Sequence, residues 1–195
     1  MAAKRVETVR AFVALDLEPM SLRRVVRVSD RLRMGSGAPS AVWTPSVQLH
    51  VTLKFMGELP SQAVTPLGKA LGALAAGLEA PAPSAMRLDA FPSIQAASIV
   101  VVELSDEDRA LKKLAAKVDK LAAKHGVAPD KRPFRPHVTL ARLKRPYDAT
   151  RWVRQELTDG AGRCRAASLT LYRSDPSDDG PTYVPLAQFE LAAPG

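Results

Sequence analysis

Apolar residues recur along this chain in two rhythms, one alternating and one helical, and the switches between them outline the elements. Residues 11–18 (AFVALDLE) form a dense apolar run closing on acidic residues, which predicts a buried strand followed by a helix start. Leu22, Val25, Val26 and Leu32 then fall at helical spacing within residues 21–34. A strand is predicted at residues 50–53, and Val64, Leu67, Leu71, Leu74 and Leu78 mark a second amphipathic helix. Residues 80–84 (APAPS) read as a linker or turn, residues 86–91 as a strand and residues 99–104 as its return. Leu111, Leu114, Val118 and Leu121 predict a third helix, with Ser105 and Asp108 as its capping pair. The series closes with a strand at 137–140, a short helical run at 150–157, and a strand pair at 169–172 and 183–191.

The series is a repeat. The tetrapeptide His-Val-Thr-Leu occurs at residues 50–53 and again at 137–140, so the second motif histidine lies 87 residues after the first. The same offset lays residues 11–18 on residues 98–105, each followed by an amphipathic helix and then by the motif strand. The expected fold is α+β: two pseudo-symmetric lobes of antiparallel sheet plus helices around a central cleft. We treat residues 1–195 as a single bilobal domain with one motif per lobe.

Composition narrows the partners. Lys and Arg outnumber Asp and Glu by 28 to 20, a net charge of +8 that suits a polyanion such as nucleic acid. The single cysteine, Cys164, allows no internal disulfide, so a reducing cytoplasm is the expected location. The opening Met-Ala-Ala-Lys-Arg leads into an apolar run too short for a secretion signal, and no stretch reaches the length of a membrane span.

The motif itself carries chemistry. Alternation along a strand puts His50 and Thr52 on one face with Val51 and Leu53 on the other, and likewise for His137 and Thr139. Two imidazoles that titrate near neutrality can divide acid and base roles, while two hydroxyls on the same faces can donate to phosphate oxygens. A phosphodiester is the substrate this pattern fits. Lys54 shares the His50 parity, and Arg135 reaches the other wall if Pro136 keeps the chain extended; both are candidate phosphate ligands. Arg142 has the opposite parity and needs a bulge to reach the cleft. His125, at a helix end before Gly126, is expected to be dispensable, and Cys164 has no base coupled to it. Trp43, Phe55, Phe91 and Phe134 could stack on a base but pack equally well, with Phe55 on the core parity. No metal-ligand spacing accompanies the histidines, so no metal is expected.

These strings resemble the 2H phosphoesterase superfamily, in particular its bacterial RNA 2′,3′-cyclic phosphodiesterase (2′-5′ RNA ligase) branch. The resemblance rests on AFVALDLEP, WTPSVQLHVTLKFMGELP, KRPFRPHVTLAR and YRSDPSDDGPTYVPLAQFEL, in family order across residues 11–191. It implies hydrolysis of a terminal RNA 2′,3′-cyclic phosphate to a 2′-phosphate without metal or organic cofactor, and reversible 2′-5′ ligation as a minor activity. It further implies His50 as proton donor, His137 as proton acceptor and the two threonines as phosphate holders, in a monomer acting on RNA ends such as tRNA fragments. The alternatives are a 2H phosphodiesterase or exonuclease acting on other nucleotides, and an RNA- or nucleotide-binding module without turnover. Residues 93–100 (SIQAASIV) depart from the family's pattern of Arg, Pro and Trp, which bears on RNA-end recognition rather than on chemistry.

Overall fold

The dense apolar run near the start forms the middle of the molecule. In the computed structural model, which describes residues 7–35, 41–155, 157, 162–177 and 180–192, strand β1 spans Thr8–Leu17 and buries five consecutive residues, 11–15. A strand covered on both faces reads as a continuous rather than an alternating apolar run. Helix α1 (Pro19–Gly35) follows, then β2 (Ala41–Trp43), a short 3₁₀ turn (Ser46–Gln48) and the first motif strand, β3 (His50–Pro60). Helix α2 (Ser61–Ala75), β4 (Ala85–Phe91), β5 (Ala97–Leu104), α3 (Ala110–Ala123) and the second motif strand, β6 (His137–Tyr147), come next. The chain ends with α4 (Thr150–Val153), β7 (Ala166–Asp175) and β8 (Thr182–Glu190).

All strands join one antiparallel sheet in the order β4-β5-β6-β3-β1-β7-β8, with β2 added alongside β6. The motif strands are neighbours at its centre. They meet through a single pair, Val51 with Val138, residues that also stand 87 apart in sequence. The same offset relates the flanking ladders: β1 pairs β3 as β5 pairs β6, and β1 pairs β7 as β5 pairs β4. Each side of the sheet thus takes its third strand from the other half of the sequence. Helix α3 packs on β3, and α2 packs on β8 and α3, burying Leu67 and Leu71 from α2 with Leu111, Leu114 and Val118 from α3. Gly72 allows α2 to approach β8 closely, since a Cβ there would sit 2.8 Å from the Phe189 ring.

Local chemistry departs from the sequence reading in three places. Of the expected capping pair only Asp108 caps α3, accepting from the Ala110 amide; Asp106 accepts from the Leu111 and Lys112 amides, and Ser105 accepts from the Ser84 amide instead. The helical run at 150–157 shortens to Thr150–Val153 and is anchored by fully buried Trp152. The APAPS stretch is stitched down rather than free: Pro81 and Pro83 carbonyls accept from the Ala166 and Cys164 amides.

Candidate active site

Antiparallel progression from the Val51–Val138 pair sets His50 beside Thr139 and Thr52 beside His137 on one face of the sheet. Valine and leucine explain why the face is held so. Val51, Leu53, Val138 and Leu140 are buried on the opposite side, at roughly 1.5–3 kcal/mol for each fully buried side chain. A one-residue slip would turn them to solvent and the histidines into the core.

Both histidines are oriented by the same device. His50 Nδ1 lies 2.6 Å from the Gln48 carbonyl, and His137 Nδ1 lies 2.7 Å from the Arg135 carbonyl. A carbonyl only accepts, so each Nδ1 carries hydrogen and each Nε2 is left to exchange protons. His50 Nε2 sits 3.0 Å from Thr52 Oγ1. Phe12 stacks on the His50 ring at 5.0 Å with Tyr183 edge-on at 5.4 Å, and Phe91 meets His137 edge-on at 5.2 Å.

The strands break register just past each motif, at the same place. Val13 pairs Lys54 and Ala14 pairs Thr52, leaving Leu53 unpaired; Val100 pairs Ala141 and Val101 pairs Thr139, leaving Leu140 unpaired. A β-bulge adds one residue and so inverts the parity beyond it. Three sequence expectations change as a result. Phe55 leaves the core face and is 60% exposed. Arg142, at the matching position of β6, turns to the histidine side and lines a recess with His50, Thr52, Phe55 and Thr139. Lys54 goes the other way.

Lys54 is 2% exposed, and its ammonium is held at 2.7 Å by Asp119, at 2.8 Å by Asp130 and at 2.8 Å by the Ala128 carbonyl. An ammonium has three donors, so none remains for a phosphate. Lys54 is a strut between β3, α3 and the loop that follows it. Arg135 is also committed, with Nη2 at 2.7 Å from Asp89 and 3.1 Å from Glu103 and the guanidinium 4.5 Å above the Phe91 ring. What Arg135 offers His137 is its backbone carbonyl. The expected phosphate role of Lys54 is therefore corrected; Arg135 is paired through Nη2 to two carboxylates, and Arg142 is the cation that lines the recess with His50.

Carboxylates at matched positions surround the histidines unequally. Asp16 stands opposite His50 in the β1–β3 ladder, and Glu103 stands opposite His137 in the β5–β6 ladder. The Asp16 carboxylate accepts from Ser168 at 2.7 Å, Thr170 at 2.5 Å and Tyr172 at 2.8 Å, all neutral donors. Glu103 instead faces two arginines, Arg87 at 2.6 Å and Arg135 at 3.1 Å. Burial lowers the proton affinity of both histidines below the ordinary value of 6.5. At His50 the Gln48 carbonyl and the Asp16 charge oppose that shift, while His137 and Arg142 reinforce it. At His137 the Arg135 carbonyl opposes it, the Arg135 and Arg142 charges deepen it, and Glu103 works against them.

Among the described residues, no group of three His, Cys, Asp or Glu side chains is placed to hold a metal ion. His125 lies beyond the end of α3, with its amide bonded to the Ala122 carbonyl, and lines none of the clefts at the motifs. Cys164 is buried, which pushes its thiol up to about 11. Trp43 packs on Trp152 at 5.8 Å. No described helix is long and apolar enough to cross a membrane.

Comparison with known proteins places this geometry. A model of the 2′-5′ RNA ligase superfamily matches residues 22–178. The chain is 28% identical over 149 residues to the RNA 2′,3′-cyclic phosphodiesterase of Aeropyrum pernix, covering 75% of this chain and 84% of that one. It is 33% identical over 152 residues to the protein of the same description from Thermus thermophilus, covering 75% and 74%. A solved structure from Thermus thermophilus superposes with a TM-score of 0.71 at 27% identity, over 94% of this chain and 98% of that one.

Proposed function

Because the chain belongs to the 2′-5′ RNA ligase superfamily, we propose that it hydrolyses a terminal 2′,3′-cyclic phosphate on RNA to a 2′-phosphate. The observation that carries this reading is the pair of histidines on one face, each with Nδ1 held by a backbone carbonyl, flanked by two threonines and Arg142 and set in unequal electrostatic surroundings.

Those surroundings support a division of labour. Asp16, held only by neutral donors among the described residues, keeps its charge available to stabilise a protonated His50. Glu103 is neutralised by Arg87 and Arg135, which leaves His137 neutral. His50 is then the proton donor and His137 the acceptor. His137 Nε2 takes a proton from water as its oxygen attacks phosphorus; the bond from phosphorus to O3′ breaks, and His50 Nε2 protonates O3′. The product keeps its phosphate on O2′. Thr52, Thr139 and Arg142 stabilise the charge that builds on the nonbridging oxygens. Phe55 offers an exposed flat face beside Thr52 to the terminal base. No metal or organic cofactor takes part.

The same acid and base serve when a 5′-hydroxyl replaces water: His137 takes its proton, the bond from phosphorus to O3′ breaks and His50 protonates O3′, joining two RNA ends through a 2′-5′ linkage. Attack of O3′ on that linkage, with the roles exchanged, reverses the step. We place the activity in the cytoplasm, in a monomer whose substrates are RNA 3′ ends such as those of tRNA fragments; the net charge of +8 supports a polyanionic partner. The test is incubation with an RNA oligonucleotide ending in a 2′,3′-cyclic phosphate, with chelator present, followed by identification of the end group. A 2′-phosphate is expected. A 3′-phosphate, dependence on a metal, or binding without turnover overturns the reading.

A further inference from the structure

We propose that the body of the RNA leaves the reacting end along the cleft between α3 and the segment leading into β6, where Lys112, Lys131 and Arg132 hold its phosphates. The inference rests on the RNA-end reading above and adds to it the direction of the strand and the residues that hold it.

The cleft has a volume of about 830 Å³, against about 470 and 550 Å³ for the two depressions on the Arg142 and Tyr183 side of the motifs. Thr52 and His137 line it, so it opens from the reacting phosphate itself. An RNA terminus closed by a cyclic phosphate has only one covalent exit, through its 5′ side. The strand therefore needs one continuous channel that begins at the histidines, and this is the largest one.

Its charges have been sorted by the fold. Asp119 and Asp130 line the cleft; the buried Lys54 ammonium binds both at 2.7 and 2.8 Å and offsets one of their two negative charges, against the three outward cations. Arg135 is likewise occupied by Asp89 and Glu103. Lys112, Lys131 and Arg132 remain: all three are exposed, and among the described residues none has its side chain ion-paired to a carboxylate. Lys112 lies seven residues before Asp119, about 10 Å along α3, so the cationic stripe extends outward from the strut. Lys131 and Arg132 lead to Arg135, whose carbonyl orients His137. Phe91 and Phe134 line the same cleft and supply the stacking surfaces that accompany a backbone-tracking groove. The opposite depression that holds Val42, Trp43 and Pro181 also carries Arg142 and Lys144, but neither motif histidine nor motif threonine lines it, so it does not open from the reacting phosphate. Because contacts to phosphate carry no sequence information, the track is expected to accept RNA of any sequence.

The test is steady-state kinetics on two substrates, a 2′,3′-cyclic mononucleotide and a hexanucleotide ending in a 2′,3′-cyclic phosphate. Lys112→Glu, Lys131→Glu and Arg132→Glu are measured singly and together, beside Lys144→Glu from the opposite depression. For the hexanucleotide, each single reversal is expected to raise KM several-fold, and the triple variant to reduce the slope of log KM against log salt by about 2, at roughly 0.7 per phosphate contact on a single strand. Mononucleotide turnover stays near wild type and reports that the variants are folded. An unchanged hexanucleotide KM, an equal loss on both substrates, or a larger effect from Lys144→Glu overturns the track while leaving the hydrolase reading intact. Wild-type inactivity on both substrates overturns the hydrolase reading, and the track with it.

Discussion

Asp16 stands directly across the β1–β3 ladder from His50, with three hydroxyls donating to its carboxylate. Its counterpart 87 residues on, Glu103, stands across from His137 but is paired to two arginines. The repeat is thus symmetric in position and asymmetric in charge. Asp16→Asn removes the charge proposed to hold the His50 proton and leaves one oxygen to accept where two accept now, so only part of the hydroxyl set is kept. The descending limb of the kcat/KM pH profile is expected to move down by roughly half to one unit, a loss of about three- to tenfold above that limb. Glu103→Gln should move either limb less. Equal shifts of both limbs in Asp16→Asn would refute the assignment of His50 as acid.

The pH profile of the unmodified protein follows from the same shifts. Both histidines are depressed by burial, so the kcat/KM bell for the free enzyme is expected below 6.5. A bound phosphate anion favours both imidazolium forms and moves the kcat bell to higher pH. For folding, a lowered histidine means that the unfolded chain binds the proton more readily as pH falls. The stability is complete above 6.5 and is lost as pH drops through the folded-state values. Acid titration of the urea midpoint checks the direction.

Replacing His50 or His137 by Ala should cost about 10²- to 10⁴-fold in kcat, the usual contribution of a positioned acid or base. His125→Ala should leave turnover on the cyclic oligonucleotide unchanged. Comparable rates in all three variants would remove the paired-histidine mechanism.

Arg142→Ala should lower kcat about 10²- to 10³-fold by removing the cation nearest the nonbridging oxygens, and Arg142→Lys should restore only part, since the planar fork is lost. Arg135→Ala acts differently. Removing the Arg135 charge, and one of the two arginines on Glu103, raises the proton affinity of His137, so the ascending limb moves to higher pH. A pH-independent loss of affinity in Arg135→Ala would return it to the role of phosphate ligand.

Lys54→Met removes the strut and leaves Asp119 and Asp130 facing one another. The unfolding free energy is expected to drop by about 2–3 kcal/mol, since hydrogen bonds to a charged group are lost and two like charges remain. The readout is the urea midpoint. A lowered phosphate affinity at unchanged stability would show the opposite.

Much of this was legible in the chain. The doubled His-Val-Thr-Leu and its offset gave the strands, the helices and the histidine and threonine faces, because periodicity records which residues must avoid water. Even the carboxylate asymmetry left a trace: Asp16 and Glu103 occupy the same column when residues 11–18 are laid on 98–105. Its meaning was hidden, because the arginines that neutralise Glu103 come from β4 and from the loop before β6.

The parity rule failed at Lys54, Phe55 and Arg142, and for one cause. A bulge at Leu53 and at Leu140 inverts the residues that follow it up to the next register shift, and no residue type announces a bulge in an otherwise regular apolar strand. The sequence alone therefore determined the repeat, the fold class and the shared face of the two histidines and two threonines, since these follow from local pattern. Only the tertiary structure decided which cation faces the histidines, which is spent on a strut, and how unequal the charges around the two histidines are. Those outcomes depend on strand register and on charges brought together from distant segments.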